Sequence, residues 1–287
     1  MGVYELSLAT VICINIILAT SLNLITGYCG QISLGHAAFY GIGAYTAALL
    51  AKAGVWGPFN LIAAMVTAGL VGMFVGLTSL RVREDFLAIT TMGVGFLFLG
   101  IVRQQESLLG GELGISSIPS FGLDKSGFFL MVLALAGVTT AFSLYVKRSW
   151  MGFAFEAVAD DEDTARTLTV DVPAYKLAAF ALGTAMAGLA GALYTYFARF
   201  IVPDDFGFIT SITILSMVAV GGIGSVFGVI VGTALLTLMP EFFRFISDYK
   251  LLVYGALLFA VMRFAPEGLA GLNRLFTSRL KARKGGL

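Results

Sequence analysis

The sequence has few charged residues and little that would hold it in water. Only 12% of its 287 residues are charged, 58% are hydrophobic, and the mean hydropathy is +0.92. A soluble domain carries about 25% charged residues, so lipid is the expected surroundings of this chain. The net charge of +1 gives no reason to expect a nucleic-acid partner.

Several kinds of functional site are missing as well. No Gly-x-x-x-x-Gly-Lys-Ser/Thr loop occurs, so the chain is not expected to bind or hydrolyse ATP, and no catalytic residue is predicted. His36 is the single histidine, and Cys13 and Cys29 lack ligand spacing, so neither a metal nor another cofactor is expected. Acids and bases inside apolar segments, which are typical of ion-coupled carriers, are scarce. A transporter with these absences would be passive or be driven by another subunit.

Apolar segments make up most of the chain, and each must reach about 20 residues to cross a bilayer as a helix. The sequence therefore predicts an all-α fold, a polytopic membrane bundle of about nine transmembrane spans. The chain 1–287 is expected to form a single domain. The predicted spans are 6–26, 32–51, 58–78, 85–102, 127–147, 175–197, 207–222, 225–240 and 249–265.

Lysine and arginine set the predicted orientation, because they concentrate on the cytoplasmic side of a membrane. The C-terminal tail, residues 266–287, is basic and is expected in the cytoplasm. Counting back through nine spans places Lys147, Arg148 and Lys176 on the same side and the loop 103–126 on the other. A multi-pass protein of the cell inner membrane is predicted.

One long hydrophilic stretch, residues 148–176, interrupts the apolar spans, and we call it the hydrophilic segment. Residues 153–168 are predicted to form one short helix, since small and apolar residues recur at helical spacing around four consecutive acids. Val172-Pro173 ends the pattern. A polar helix between two spans offers a surface that a partner outside the membrane can grip. The acids could also be simply a solvated face.

Two glycine-rich stretches, residues 27–48 and 221–234, are each expected to open with a bend and continue as a helix. They favour either tight packing alone or broken helices that line a translocation path. The candidate path or gate residues are Gln31, Ser33, His36, Gly221, Gly222, Gly224 and Ser225. The candidate helix-packing residues are Gly183, Ala187, Gly191, Gly228 and Gly232, and the spacing also puts Gly224 on one face with the last two.

Polar side chains within the spans are few. Asn15 and Asn23 are eight residues apart, so they share a helical face, and each is expected to hydrogen-bond to a neighbour. For His36, a histidine satisfied by the backbone or a neighbouring helix is favoured over a proton relay or a substrate contact.

Several motifs, in order along the chain, resemble a known family. They include SLNLITGYCGQISLGHAAFYGIGAY at 21–45, AVADDE at 157–162, ARTL at 165–168, AGLAGALY at 187–194, GGIGS at 221–225 and PEGL at 266–269. Together they resemble the permeases of ATP-binding-cassette importers for branched-chain amino acids, and more narrowly the M-type permease.

The resemblance implies that residues 153–168 are the coupling helix, which docks on a cytoplasmic ATPase. Implied partners are a second, similar permease, two ATPase subunits that carry ATP and magnesium, and an extracytoplasmic solute-binding protein. The coupling residues so implied are Phe155, Glu156, Ala157, Val158, Asp160, Asp161, Glu162, Asp163, Ala165 and Leu168. The family usually has glycine where Thr169 stands, so the turn there is expected to differ.

Other functions stay open at this stage. An ion-coupled secondary carrier would lose uptake when uncouplers are added while ATP remains. A membrane scaffold would show no transport defect on deletion. Similar permeases act on urea, short amides or aromatic acids, because selectivity lies largely in the solute-binding protein.

Overall fold

The computed structural model describes residues 2–80 and 84–242 and, beyond them, residues 255, 259, 268, 269 and 271. The predicted span 249–265 and most of the tail 266–287 lie outside the described residues. The described helices are α1 Val3–Leu22, α2 His36–Lys52, α3 Gly57–Ser79, α4 Glu84–Gln104, α5 Glu106–Leu109, α6 Lys125–Arg148, α7 Trp150–Asp160, α8 Glu162–Thr167, α9 Val172–Ala198, α10 Phe208–Gly221 and α11 Val226–Phe242. A π-helical turn, Asn23–Tyr28, extends α1, and 3₁₀ turns lie at Gly111–Leu113 and Pro203–Phe206.

The long helices form a membrane bundle. Within the described residues, six helical segments are long and apolar enough to cross a membrane: Tyr4–Tyr28, Gly57–Thr78, Phe86–Gln104, Lys125–Arg148, Val172–Ala198 and Pro203–Gly221. Large apolar side chains such as Phe59, Leu70 and Phe74 on α3 point outward. Contact of such apolar surfaces with lipid is favourable, whereas their exposure to water would cost free energy. The chain is a multi-pass membrane protein.

The expected count of nine spans is not supported by these helices. Two of the predicted spans, 32–51 and 225–240, correspond to α2 and α11, which fall short of the six in apolar length. Both helices follow an interruption of regular α-helix. The π-helical turn together with residues 29–35 precedes α2, and we call residues 23–35 the first break; residues 222–225 precede α11, and we call them the second break. Each break takes residues that would otherwise have lengthened the helix.

Helix α9 lies at the centre of the bundle and packs against α1, α2 and α3. Its small residues allow these close approaches. A side chain on Gly183 would collide with Ile25 and Ser21 of the first span, and one on Gly191 would collide with the backbone of Tyr40.

A second close contact joins α10 and α11. A side chain on Gly221 would collide with the backbone of Gly228, and one on Gly232 would collide with Gly221 and Met217. The spacing predicted that Gly224 shares this face. This prediction is wrong, because Gly224 lies in the second break before α11 begins.

The hydrophilic segment contains two helices where one was predicted. Helix α7 ends at Asp160, and Asp161 has an extended backbone with φ of −163° and ψ of 113°. The Asp161 carboxylate accepts a hydrogen bond from the Thr164 N–H at 2.9 Å and so caps α8. Asp161 therefore marks the end of α7 and the start of α8.

Candidate functional site

The first break is closed by hydrogen bonds of its own. The Gln31 N–H donates to the Ile25 carbonyl at 3.2 Å, and the Thr26 hydroxyl donates to the Gln31 carbonyl at 3.0 Å. Gly30 turns the chain with φ of 73°, a conformation that glycine adopts without steric cost. The backbone groups freed by ending α1 are thus satisfied inside the bundle, as lipid surroundings require.

Three predicted path residues, Gln31, Ser33 and His36, lie in or directly after this break and are completely buried. The Gln31 amide donates to the Lys176 carbonyl at 3.1 Å. The Gln31 Oε1, the Ser33 hydroxyl and the His36 Nδ1 find no partner among the described residues. Buried polar groups are almost always hydrogen-bonded, so these groups have capacity to spare for a water or a passing solute.

The tautomer of His36 follows from its neighbour Ser21. The two side chains lie 2.7 Å apart, and the Ser21 hydroxyl already donates its single proton to the Leu18 carbonyl at 2.6 Å. The His36 Nε2 must therefore be the donor, which leaves Nδ1 as a bare acceptor. His36 is thus held by α1 through Nε2, while its Nδ1 has no partner among the described residues.

The second break is made by glycine and by one helix cap. Gly222 and Gly224 have φ of 110° and 80°, which side-chain-bearing residues rarely adopt. The Ser225 hydroxyl accepts from the Gly228 N–H at 3.2 Å and caps α11. The Ser225 hydroxyl therefore serves the helix.

The two breaks pack against each other. The Asn23 side-chain oxygen accepts from the Gly224 N–H at 2.8 Å, and the Lys147 ammonium donates to the Gly224 carbonyl. A side chain on Gly27 would lie 2.6 Å from the Gly224 nitrogen. Asn15 likewise donates to the Thr237 hydroxyl of α11 at 3.1 Å. Both asparagines hydrogen-bond to a neighbour, which confirms the prediction, and Asn23 ties the breaks together.

The hydrophilic segment is packed onto the first break. Phe155, Val158 and Ala165 are buried in a cluster with Leu24 and Tyr28 of the π-helical turn. Burying a side chain such as Phe155 contributes about 1.5–3 kcal/mol, so these residues anchor the segment. They were expected to couple to a partner, but they have no surface to offer one.

A chain of polar contacts makes a second link between the segment and the first break. Glu162 forms an ion pair with the buried ammonium of Lys176 and another with Arg166 at 3.7 Å. The Lys176 carbonyl in turn holds Gln31. Beside them, Ala159 of α7 packs against Gly30, where an added side chain would lie 3.1 Å away. Helices α7 and α8 are therefore in direct contact with the first break.

The outward face of the hydrophilic segment is both acidic and apolar. Of the predicted coupling residues, Glu156, Asp160, Asp161, Asp163 and Leu168 are exposed and Ala157 is half-buried. Asp161 also caps α8, and Glu162 is paired within the chain. The large exposed apolar side chains are Trp150, Phe153 and Leu168, exposed by 85%, 59% and 66%. The sequence analysis missed the first two, although their spacing of three residues places them on one helical face.

Comparison with known proteins shows the family to which the chain belongs. Residues 4–262 match the family described as branched-chain amino acid transport system / permease component. The chain belongs to this permease family. It is 34% identical to the LivM permease protein of the high-affinity branched-chain amino acid transport system of Salmonella typhimurium, over 94% of this chain and 71% of that protein.

Further relatives agree with the M-type resemblance. The LivM protein of Escherichia coli K12 is 34% identical, over 93% of this chain and 70% of that protein. The LivH permease protein of Escherichia coli K12 is 24% identical, over 89% and 90%. No solved structure matches the chain. As a member of this permease family, the chain is a transport component and not an enzyme.

Proposed function

We propose that this permease is the membrane subunit of an ATP-driven importer for branched-chain amino acids. The chain binds no cofactor, and ATP with magnesium binds to separate ATPase subunits. The observation that carries the proposal is the linkage from an exposed polar segment to a helix break inside the bundle. A permease without a nucleotide site needs such a linkage to receive work from a motor.

We keep the topology predicted from the sequence. In it the chain lies in the inner membrane of the cell and the hydrophilic segment lies in the cytoplasm. Helices α2 and α11 and the span 249–265 join the six long spans to give nine within a single domain, residues 1–287. The basic tail 266–287 then lies in the cytoplasm together with Lys147 and Arg148.

The ATPase docks on the outward face of the hydrophilic segment. Trp150, Phe153 and Leu168 supply an apolar centre, and exposed aromatic side chains are frequent binding anchors. Asp160 and Asp163 border it with negative charge, which steers docking onto a basic surface and makes it sensitive to salt. Asp161 is exposed as well and also caps α8, whereas Glu162 is paired with Lys176 and holds the segment in shape.

Alternating access follows from this attachment. Closure of two ATPase subunits on ATP displaces α7 and α8, and the contacts of Ala159 and Glu162 carry the displacement to the first break. Gln31, Ser33 and His36 then change their surroundings along the path, with the second break following through Asn23. ATP shifts the balance because it binds the closed ATPase pair more tightly. A second permease completes the path, and a solute-binding protein delivers the amino acid on the opposite side.

Purification of the chain from its native membrane tests the assembly. Two ATPase subunits and a second permease are expected in the same complex, and their absence from the purified material would refute the proposal. Phe153→Asp combined with Leu168→Asp should release the ATPase subunits while the permease stays folded. Phe86 and Ile89 are exposed on α4, outside the hydrophilic segment. Ile89→Ser at this place is the control and should retain the complex.

A further inference from the structure

A cavity of about 300 Å³ lies where the 3₁₀ turn Pro203–Phe206 meets α1, α2, α9 and α10. One wall is apolar and is formed by Leu18, Ile214 and Met217. The rest of the lining carries the carboxylates of Asp204 and Asp205 and several hydroxyl groups. This volume is in the range of small-molecule sites, and the two unlike walls suit a ligand that is charged at one end and aliphatic at the other.

The two carboxylates are not equivalent. Asp204 forms an ion pair with Arg103 at 2.7 Å, and its side chain is 80% exposed. Asp205 forms no ion pair with any Lys or Arg in the part of the chain that the structure describes. Its carboxylate accepts from the Val202 N–H at 3.3 Å and interacts with the hydroxyls of Tyr40 and Tyr194. Asp205 is therefore the uncompensated negative charge of the cavity.

Tyr40 gives a second, independent indication of a ligand. Its side chain is only 5% exposed, and its ring packs against Tyr194 and Phe206 with centroids 5.7 and 5.1 Å away. Tyr40 lines the cavity beside Asp205, and none of the hydrogen bonds among the described residues uses its hydroxyl. This hydroxyl is therefore free to bond to a ligand in the cavity.

We propose that this cavity binds the amino group of an aliphatic amino acid, with the ammonium on Asp205 and Tyr40 and the side chain on the apolar wall. The inference rests on the proposed function, and it adds a place where the solute is held within this chain. A calcium ion would need six to eight oxygen ligands, whereas one free carboxylate beside hydrocarbon fits a singly charged ammonium. A charge-assisted hydrogen bond inside a half-enclosed site is also stronger than one in water.

A thiol placed in the cavity makes occupancy measurable. Thr213→Cys puts a reactive group on the lining, and the purified complete transporter is then treated with a small thiol reagent. Leucine and isopentylamine should both slow the labelling, because both carry the ammonium and the aliphatic chain. 4-Methylpentanoate, which lacks the amino group, should not. Protection by 4-methylpentanoate as strong as that by leucine, or equal protection by sodium ions alone, would overturn the proposal.

The variants separate the two carboxylates in the same labelled background. Asp205→Asn should raise the leucine concentration that gives half protection about tenfold or more, because a charged hydrogen bond is lost. Tyr40→Phe should raise it several-fold while keeping the ring packing. Asp204→Asn removes the same charge from the neighbouring position and should leave the protection unchanged. Unchanged protection in Asp205→Asn would refute the assignment.

Leucine uptake by the parent transporter separates the two proposals. If the parent transporter takes up no leucine in the presence of ATP, the proposed function is contradicted. If it takes up leucine but leucine does not protect the thiol, only the cavity proposal is rejected.

Discussion

The first break is filled with buried polar side chains, whereas the second break is formed almost entirely by backbone. Gln31 and Ser33 place amide and hydroxyl groups inside the bundle at residues 29–35. At residues 222–225, two glycines with positive φ make the turn, and the side chain of Ile223 between them is exposed. The two breaks meet at Gly224, and the first break also contacts the hydrophilic segment, where Gly30 lies against Ala159.

This difference separates two tasks. The first break has groups that can contact a solute, and it has the links through Lys176 and Ala159 by which a force can arrive. The second break has a shape that only glycine readily takes, and it is held by Asn23 and Lys147 from outside. Changes near the first break should therefore uncouple transport, and changes in the second should act on its conformation.

The largest expected effect comes from Glu162→Gln, which removes the charge facing the buried Lys176. Breaking a buried ion pair costs about 3–5 kcal/mol, and the partial exposure of Glu162 places this case near the lower figure. The thermal unfolding midpoint of the purified permease should fall, and ATP hydrolysis by the assembled transporter should continue with little uptake.

Glu112→Gln is the control, since it removes a charge of the same sign from an exposed position in the loop 103–126, away from the hydrophilic segment. Equal loss of coupling in both variants would mean that the link to the first break does not carry the force.

The next effect is expected at the second break, from Gly222→Ala. The φ of 110° there strains any residue with a side chain, at a cost of about 1–3 kcal/mol. Thermal unfolding of the permease measures that cost. Gly93→Ala, on an open face of α4, should be neutral or slightly stabilising because alanine favours a helix. A Gly222→Ala variant as stable as Gly93→Ala would show that the second break does not need glycine.

A smaller effect is expected where the breaks are joined. Asn23→Ala leaves the Gly224 N–H without its acceptor, which costs about 1–3 kcal/mol when the group is buried and less here because Gly224 is partly exposed. Uptake should decrease together with the unfolding midpoint. Thr46→Val removes a hydrogen bond between α2 and α3 away from the breaks and should lower stability without a matching loss of uptake.

The smallest effect, and a favourable one, is expected from Thr169→Gly. Thr169 has φ of 63°, so the turn after α8 takes a left-handed conformation that favours glycine. Glycine there should stabilise the permease by about 0.5–1 kcal/mol. Thr167→Gly, inside α8, should destabilise it by a similar amount. A loss of stability in Thr169→Gly would show that the threonine side chain outweighs the backbone strain.

The sequence predicted the helices and bends that depend on residues close together in the chain. The eight predicted spans within the described residues all coincide with helices, because apolar runs and helix-ending residues lie next to one another in sequence. The bends at residues 27–30 and 221–224 were found from glycine alone. The division at Asp161 was missed because an acid within an acidic run gives no sign that its carboxylate caps the next helix.

The amino-acid sequence by itself determined that this protein lives in a membrane, where its helices lie, where they break and which segment stays in water. Those properties depend on the hydrophobicity and the backbone preferences of neighbouring residues. Only the tertiary structure decided that Asn23 holds Gly224, 201 positions away, and that Phe155 faces inward while Phe153 faces outward. Such contacts depend on which helices pack side by side, and helix packing is settled by the shapes of all the surfaces together.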